Sequence, residues 1–306
     1  MRTLTGLILL LAGFPQESAL NEALRKANPE YKGDGRFRTD GSGNVVGVVL
    51  IGPVSDLSPL KDLSLTSLRV TSPTLIDLSP LKGMKLTSVD LQACPLLTDL
   101  SSLEGMPLES ATFYACRALK EIAPLRRANL RRLNIEGSAV GDLSPLKEQS
   151  ALAWARLCTN RIADVAPLAD LPLTCLDLTY AKDIVDLAPL RGLNAMDDLR
   201  LDFIRASDLS PVRNMKKLRI LSILDCPNLK DLSIIAELPQ LKAFIFTPKH
   251  FSPEQIEIVR RHPSIKYLDV GWKSWNNQYC GNPDTPNPCQ TAEAFWNRYD
   301  AGEYSK

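Results

Sequence analysis

The chain has 306 residues, 44% of them hydrophobic, and its 36 basic against 35 acidic side chains leave a net charge of +1. That length and apolar share can bury a sizeable core, and so even a charge balance gives no reason to expect a nucleic-acid partner. No run of about twenty apolar residues is present, so insertion of the mature chain into a membrane as an ordinary spanning helix is not expected. Taken in chain order, Arg2 precedes an apolar run from Leu4 to Phe14 that ends in the small residues Ala12 and Gly13. The pattern predicts a signal peptide over residues 1–14, and with it a secreted or periplasmic protein; no Cys follows the run, which argues against a lipid-anchored form.

Residues 15–50 read as an N-terminal cap. Ser18 opens an amphipathic helix with Leu20, Ala23, Leu24 and Ala27 on one side, and Pro29 ends it. Asp40-Gly41-Ser42-Gly43-Asn44, between Phe37 and the Val45–Leu50 run, signals a hairpin. The same five residues suggest a calcium loop, but Ile51 stands where that loop needs a bidentate Glu, so a turn is the better reading.

From residue 45 to 247 the chain repeats itself. Some version of Asp-Leu-Ser-Pro-Leu begins at Asp56, Asp77, Asp99, Glu121, Asp142, Asp164, Asp186, Asp208 and Asp231, in steps of 21, 22, 22, 21, 22, 22, 22 and 23. About twelve residues upstream of each copy lies L-x-x-L-x-L, as in Leu65-Leu68-Val70, Leu86-Val89-Leu91, Leu130-Leu133-Ile135, Leu173-Leu176-Leu178 and Leu218-Leu221-Ile223. Side chains alternate faces along a strand, so the three apolar residues point inward and their neighbours outward. Cys94, Cys116, Asn160 and Cys226 fall where such a repeat needs a side chain inside its turn to serve unpaired backbone groups.

These units are leucine-rich repeats, and the stretch Asp77 to Met84, D-L-S-P-L-K-G-M, resembles the short bacterial class of about 22 residues. The flanks Leu20 to Pro29, Gly33 to Leu50 and Phe295 to Tyr304 are similar to those of arrays in planctomycete-type bacteria, which occur alone or attached to protein kinase domains. The resemblance implies an α/β leucine-rich repeat solenoid. Its curved parallel sheet would form the concave face, with short helical or 3-10 turns on the convex face and a cap at each end. It specifies a scaffold and leaves function to surface residues.

Beyond the array, residues 248–271 read as a helix and strand, the helix opened by the capping-box pattern Ser252-Pro253-Glu254-Gln255. Residues 272–306 gather Trp272, Trp275, Tyr279, Phe295, Trp296, Tyr299 and Tyr304. They read as an aromatic C-terminal cap, or else as a platform of rings for a glycan or peptide. Cys280 and Cys289 stand in a loop whose composition suits a disulfide in an exported chain, whereas Cys158 and Cys175 read as outward strand positions one coil apart.

No catalytic, cofactor or metal-site motif is found, and the two histidines, His250 and His262, are not at ligand spacing from any cysteine, so the reading is non-enzymatic with no cofactor. On the outward strand face the central column runs Arg69, Asp90, Thr112, Asn134, Arg156, Asp177, Arg200, Ser222, Ile245, Asp269. Trp154, Arg156, Asp177, Asp198, Arg200 and Asp202 gather within a few strands of one another. They form either a recognition patch for a protein partner, with Trp154 and the arginines as anchors, or a solvated face whose opposite charges pair. A structural cell-envelope role without a discrete partner is the alternative.

Overall fold

The computed structural model describes residues 16–270 and 290–304, in a chain that divides into two compact units, Met1–Val140 and Gly141–Lys306. The signal peptide, the rings at 272, 275 and 279, and the Cys280–Cys289 crosslink lie outside the described residues.

In the first unit, helix α1 (Gln16–Ala27) buries Leu20 and Leu24. Just after it, Asn28 accepts from the backbone N–H groups of Ser55 and Asp56 at 2.9 Å and donates to the Asp56 carbonyl, tying the cap to the first coil. Strand β1 (Arg36–Thr39) pairs antiparallel with β2 (Val45–Ile51). Between them the Asp40 carboxylate accepts from the Asn44 side-chain amide at 3.1 Å and from the N–H groups of Asn44 and Ser42 at 3.0 and 2.8 Å, so the loop's own donors, the Asn44 side chain foremost, hold its pKa below the usual carboxylate range. Strands β3 (Ser67–Thr71), β4 (Ser88–Gln92), β5 (Ser110–Thr112) and β6 (Arg132–Asn134) then follow in parallel order.

The second unit repeats the plan with β7 (Trp154–Arg156), β8 (Cys175–Asp177), β9 (Asp198–Arg200), β10 (Ile220–Ile223), β11 (Ala243–Phe246) and β12 (Tyr267–Asp269), again parallel and in order. A two-residue strand, β13 (Gln290–Thr291), closes it antiparallel to β12. Helix α2 (Pro253–Arg260) begins after Ser252, but the expected capping box does not form. Gln255 instead accepts from the Leu232 N–H at 2.5 Å, one coil back, where a buried backbone donor needs a partner more than the exposed helix end does.

Within a coil three devices recur. The inward strand residues are buried, Leu68, Val89, Ala111 and Leu133 in the first unit and Ala155, Leu176, Leu199, Leu221 and Phe244 in the second. Each return path then runs through a 3-10 turn such as Ser79–Leu81 or Ala166–Leu168, started by the repeat's aspartate. Asp56, Asp77, Asp99, Asp142, Asp164, Asp186, Asp208 and Asp231 each accept from the backbone N–H two residues on, at 2.7 to 2.8 Å. The proline that follows in most copies has no N–H to place and a fixed φ near −65°.

The third device is a left-handed residue just beyond the strand. Ala93, Ala115 and Gly137 adopt φ of 48°, 57° and 71° in the first unit, and Thr159, Tyr180, Phe203 and Asp225 adopt 57°, 62°, 62° and 46° in the second. Positive φ is unfavourable for all but glycine. Here it is held by stacking, since the N–H of Ala93 donates to the Tyr114 carbonyl, that of Tyr180 to Asp202 and that of Phe203 to Leu224, at 2.8 to 2.9 Å. Ala93 is exposed, so its replacement tests the backbone alone. Ala93→Val should lower stability by about 1 kcal/mol or more, because a β-branched side chain crowds the left-handed region. Ala93→Gly should stay within about 0.5 kcal/mol of wild type, relief of strain being set against entropy. Urea unfolding of the two variants checks the pair.

Candidate functional site

The six outward residues singled out by the sequence lie on β7 to β9 or just after, all in the second unit. Strand register brings them together as the repeat spacing predicts: Trp154 lies opposite Cys175, Arg156 opposite Asp177, and Asp177 opposite Arg200. The same register carries the central column onward through Ser222, Ile245 and Asp269.

Their environment corrects the expectation of an exposed ribbon. Asp177, Asp198 and Asp202 are 7%, 1% and 6% exposed, and only Trp154, Arg156 and Arg200 reach solvent in part. Alternation along a strand decides which face a side chain takes and says nothing about what lies over that face. The buried charges are accordingly held by specific partners. Arg200 donates from Nε and Nη2 to the two Asp198 carboxylate oxygens at 3.2 and 3.0 Å. Nε of Arg156 stands 3.6 Å from Oδ2 of Asp177, whose Oδ1 accepts the Thr179 N–H at 3.0 Å. Asp202 accepts from the Ser222 hydroxyl at 2.5 Å and the Leu224 N–H at 2.8 Å, both on the same oxygen.

Burial is the largest influence on Asp198 and Asp202. It pushes Asp198 up in spite of Arg200, and it pushes Asp202 up to about 7 in spite of two hydrogen bonds. Arg200, set among Asp198, Asp177 and Asp202, stays firmly charged. The cluster is thus an ordered network of charged and hydrogen-bonded groups, with Asp202 pushed up to about 7. Continuing the outward face, Ile220, Leu224, Ala243 and Ile245 form a buried apolar cluster against which Tyr267 packs. Four outward positions filled by aliphatic residues were legible as apolar in the sequence, but their joint burial was not.

Cysteines divide differently from the sequence expectation. Cys94, Cys116 and Cys226 are buried free thiols that donate to the backbone carbonyls of Gln92, Leu91 and Leu201 at 3.3, 3.5 and 3.1 Å, the turn-serving role expected of them. Cys158 does not stand one coil from Cys175 on the outward face. The register of β7 and β8 makes it the counterpart of Thr179, and it is a buried thiol donating to the Asp177 carbonyl. Cys175 is buried on β8.

At the C-terminal end, helix α3 (Ala292–Asp300) buries Phe295 completely, with its ring 5.8 Å from Phe246 of β11, 4.8 Å from Trp296 and 5.1 Å from Tyr304. The Arg260 guanidinium lies 4.6 Å from the centre of the Trp296 ring and pairs with Asp300. The described rings are therefore packed on one another and on β11.

Fold and strand face together define a leucine-rich repeat solenoid. Among solved structures the chain is similar to an internalin (InlF) from Listeria monocytogenes, with a TM-score of 0.59 and 20% identity over 84% of this chain and 88% of that one. It is also similar to an internalin C2 (InlC2) of the same organism, with a TM-score of 0.52 and 23% identity over 67% of this chain and 92% of that one. At such identities the likeness shows the fold. No protein-family model matches the chain, and no curated protein matches it significantly. No helix among the described residues is long and apolar enough to cross a membrane.

Asp202 yields a test of the charge network. Its folded pKa of about 7 lies above the value near 3.9 of an unfolded aspartate, so between those limits the native state binds the extra proton. Its contribution to stability is present below about pH 4 and is lost as pH rises through 7. Asp202→Asn keeps an oxygen for Ser222 and Leu224 and removes the titration. The variant should gain stability relative to wild type as pH rises from 4 to 8, measured by urea unfolding. A constant difference across that range would contradict the buried, proton-binding Asp202.

Proposed function

We propose that this protein is a non-enzymatic interaction module that holds a protein partner on the outward, concave strand face of its second unit. The observation that carries the reading is the in-register placement of Trp154 and Arg156 on β7, both partly solvent-accessible, beside an ordered network of Asp177, Asp198, Arg200 and Asp202. Trp and Arg are the side chains that most often dominate binding, and here the aspartates fix the guanidiniums instead of meeting solvent themselves. The carboxylates are committed to these partners, which favours recognition over catalysis.

We place the protein with the short bacterial class of repeats on the strength of its Asp-Leu-Ser-Pro-Leu copies. We also place it outside the cytoplasm, secreted or periplasmic, on the strength of the apolar run at Leu4 to Phe14. A glycan platform at the aromatic C-terminus is less favoured, because the described rings are spent on one another. Replacing Trp154 and Arg156 together by Ala should abolish capture of a partner from envelope extracts while thermal unfolding stays cooperative. Equal capture by wild type and variant would move the site elsewhere, and no capture by either would favour a structural envelope role.

A further inference from the structure

Several charges that meet between neighbouring coils are of opposite sign. Arg69 pairs with Asp90, Arg156 with Asp177, Arg219 with Asp197 and Arg213 with Glu237. Besides the column of repeat aspartates, one basic column carries a single sign. Arg161, Lys182 and Arg205 each stand five residues after an in-register strand residue, namely Arg156, Asp177 and Arg200, and two residues after a left-handed one, namely Thr159, Tyr180 and Phe203. Equivalent positions in successive coils stack at the strand spacing of about 4.8 Å. Three cations therefore follow one another along the edge just past β7, β8 and β9. All three are exposed, and among the described residues none forms an ion pair with a carboxylate, Asp183 beside Lys182 included. Like charges at neighbouring positions oppose folding, so nothing within the coil asks for this row.

Two aromatic rings lie within it. Tyr180 and Phe203 stack with ring centres 4.1 Å apart and planes 7° from parallel, both half-buried, and Nζ of Lys182 stands 5.6 Å from the Tyr180 ring centre. The left-handed position they occupy is filled elsewhere by Ala, Gly, Thr or Asp, and a bulky ring is a poor choice for it on backbone grounds.

We propose that this edge of the second unit binds an acidic peptide segment of a partner protein. The inference rests on the protein-interaction reading above and adds the partner's chemistry. Anionic side chains would relieve the repulsion along the row, while the ring pair offers apolar contact between the cations. Carboxylates on one face of an extended chain recur about every 6.6 Å, and the long, flexible Lys and Arg stems span the difference from the coil spacing. A long polyanion such as nucleic acid is disfavoured, because a net charge of +1 gives no broad positive field to gather it.

Fluorescence anisotropy with a fluorescein-labelled oligoglutamate, on the full chain at low salt, tests the proposal. Wild type should bind it, with affinity falling as salt is raised. The triple variant Arg161→Ala, Lys182→Ala, Arg205→Ala should bind at least about tenfold more weakly, with a flatter salt dependence and unchanged or improved thermal stability. Equal binding by the triple variant would overturn the proposal, as would capture of heparin or single-stranded DNA with oligoglutamate ignored. The Trp154→Ala, Arg156→Ala variant should bind oligoglutamate like wild type. If that variant loses a captured partner while the triple variant keeps it, the interaction reading stands and the edge site fails.

Discussion

Each coil must bring the chain back, after 21 to 23 residues, to a point one backbone hydrogen bond from where it began, and every other feature of this protein depends on that return. Strand leucines alone cannot enforce it, since apolar contact has no direction. Direction comes from the ends of the strand and of the return path. Beyond the strand, a residue forced into the left-handed region aims its N–H at the next coil. On the far side an aspartate captures the first free N–H of a 3-10 turn and starts it at the same residue each time. Glu121 takes that place in one copy, and a side chain one methylene longer forms no such bond among those of the described residues. Its neighbours keep the turn Ala123–Leu125 in place regardless, as expected where each coil is templated by the two beside it.

This dependence also explains what could be read in advance. Apolar alternation fixed which strand residues point inward, and constant spacing then fixed the register, so the column from Arg156 through Asp177 and Arg200 to Asp269 was legible residue by residue. The left-handed positions were not. Ala93, Ala115, Tyr180 and Phe203 carry no glycine or asparagine signal, because their conformation is imposed by stacking and not by local preference. Nor was the burial of Asp177, Asp198 and Asp202 legible, since a period of two assigns a face without revealing how that face is covered.

The two units use the same outward column in different ways. In the first, Arg69 pairs with Asp90 at 2.6 Å while its side chain stays 54% exposed, and such a pair adds little to stability. In the second, the Arg200 and Asp198 side chains are 14% and 1% exposed, and breaking that pair would strand a desolvated charge. The second network is therefore held more firmly than the first, its charges committed to partners away from solvent.

The central claim is that hydrogen bonds between coils, more than local propensity, hold the chain's path. Native-state hydrogen exchange measures this at the N–H groups of Leu157, Leu178 and Leu201, which donate to Asp177, Arg200 and Ser222 of the next coil at 2.8, 2.9 and 2.8 Å. The account predicts that all three exchange only through a common large opening, with similar protection, close to that of global unfolding of the second unit. Rapid and unrelated exchange at these amides, alongside protected 3-10 turns, would show that the coils hold their shape without one another and would contradict it.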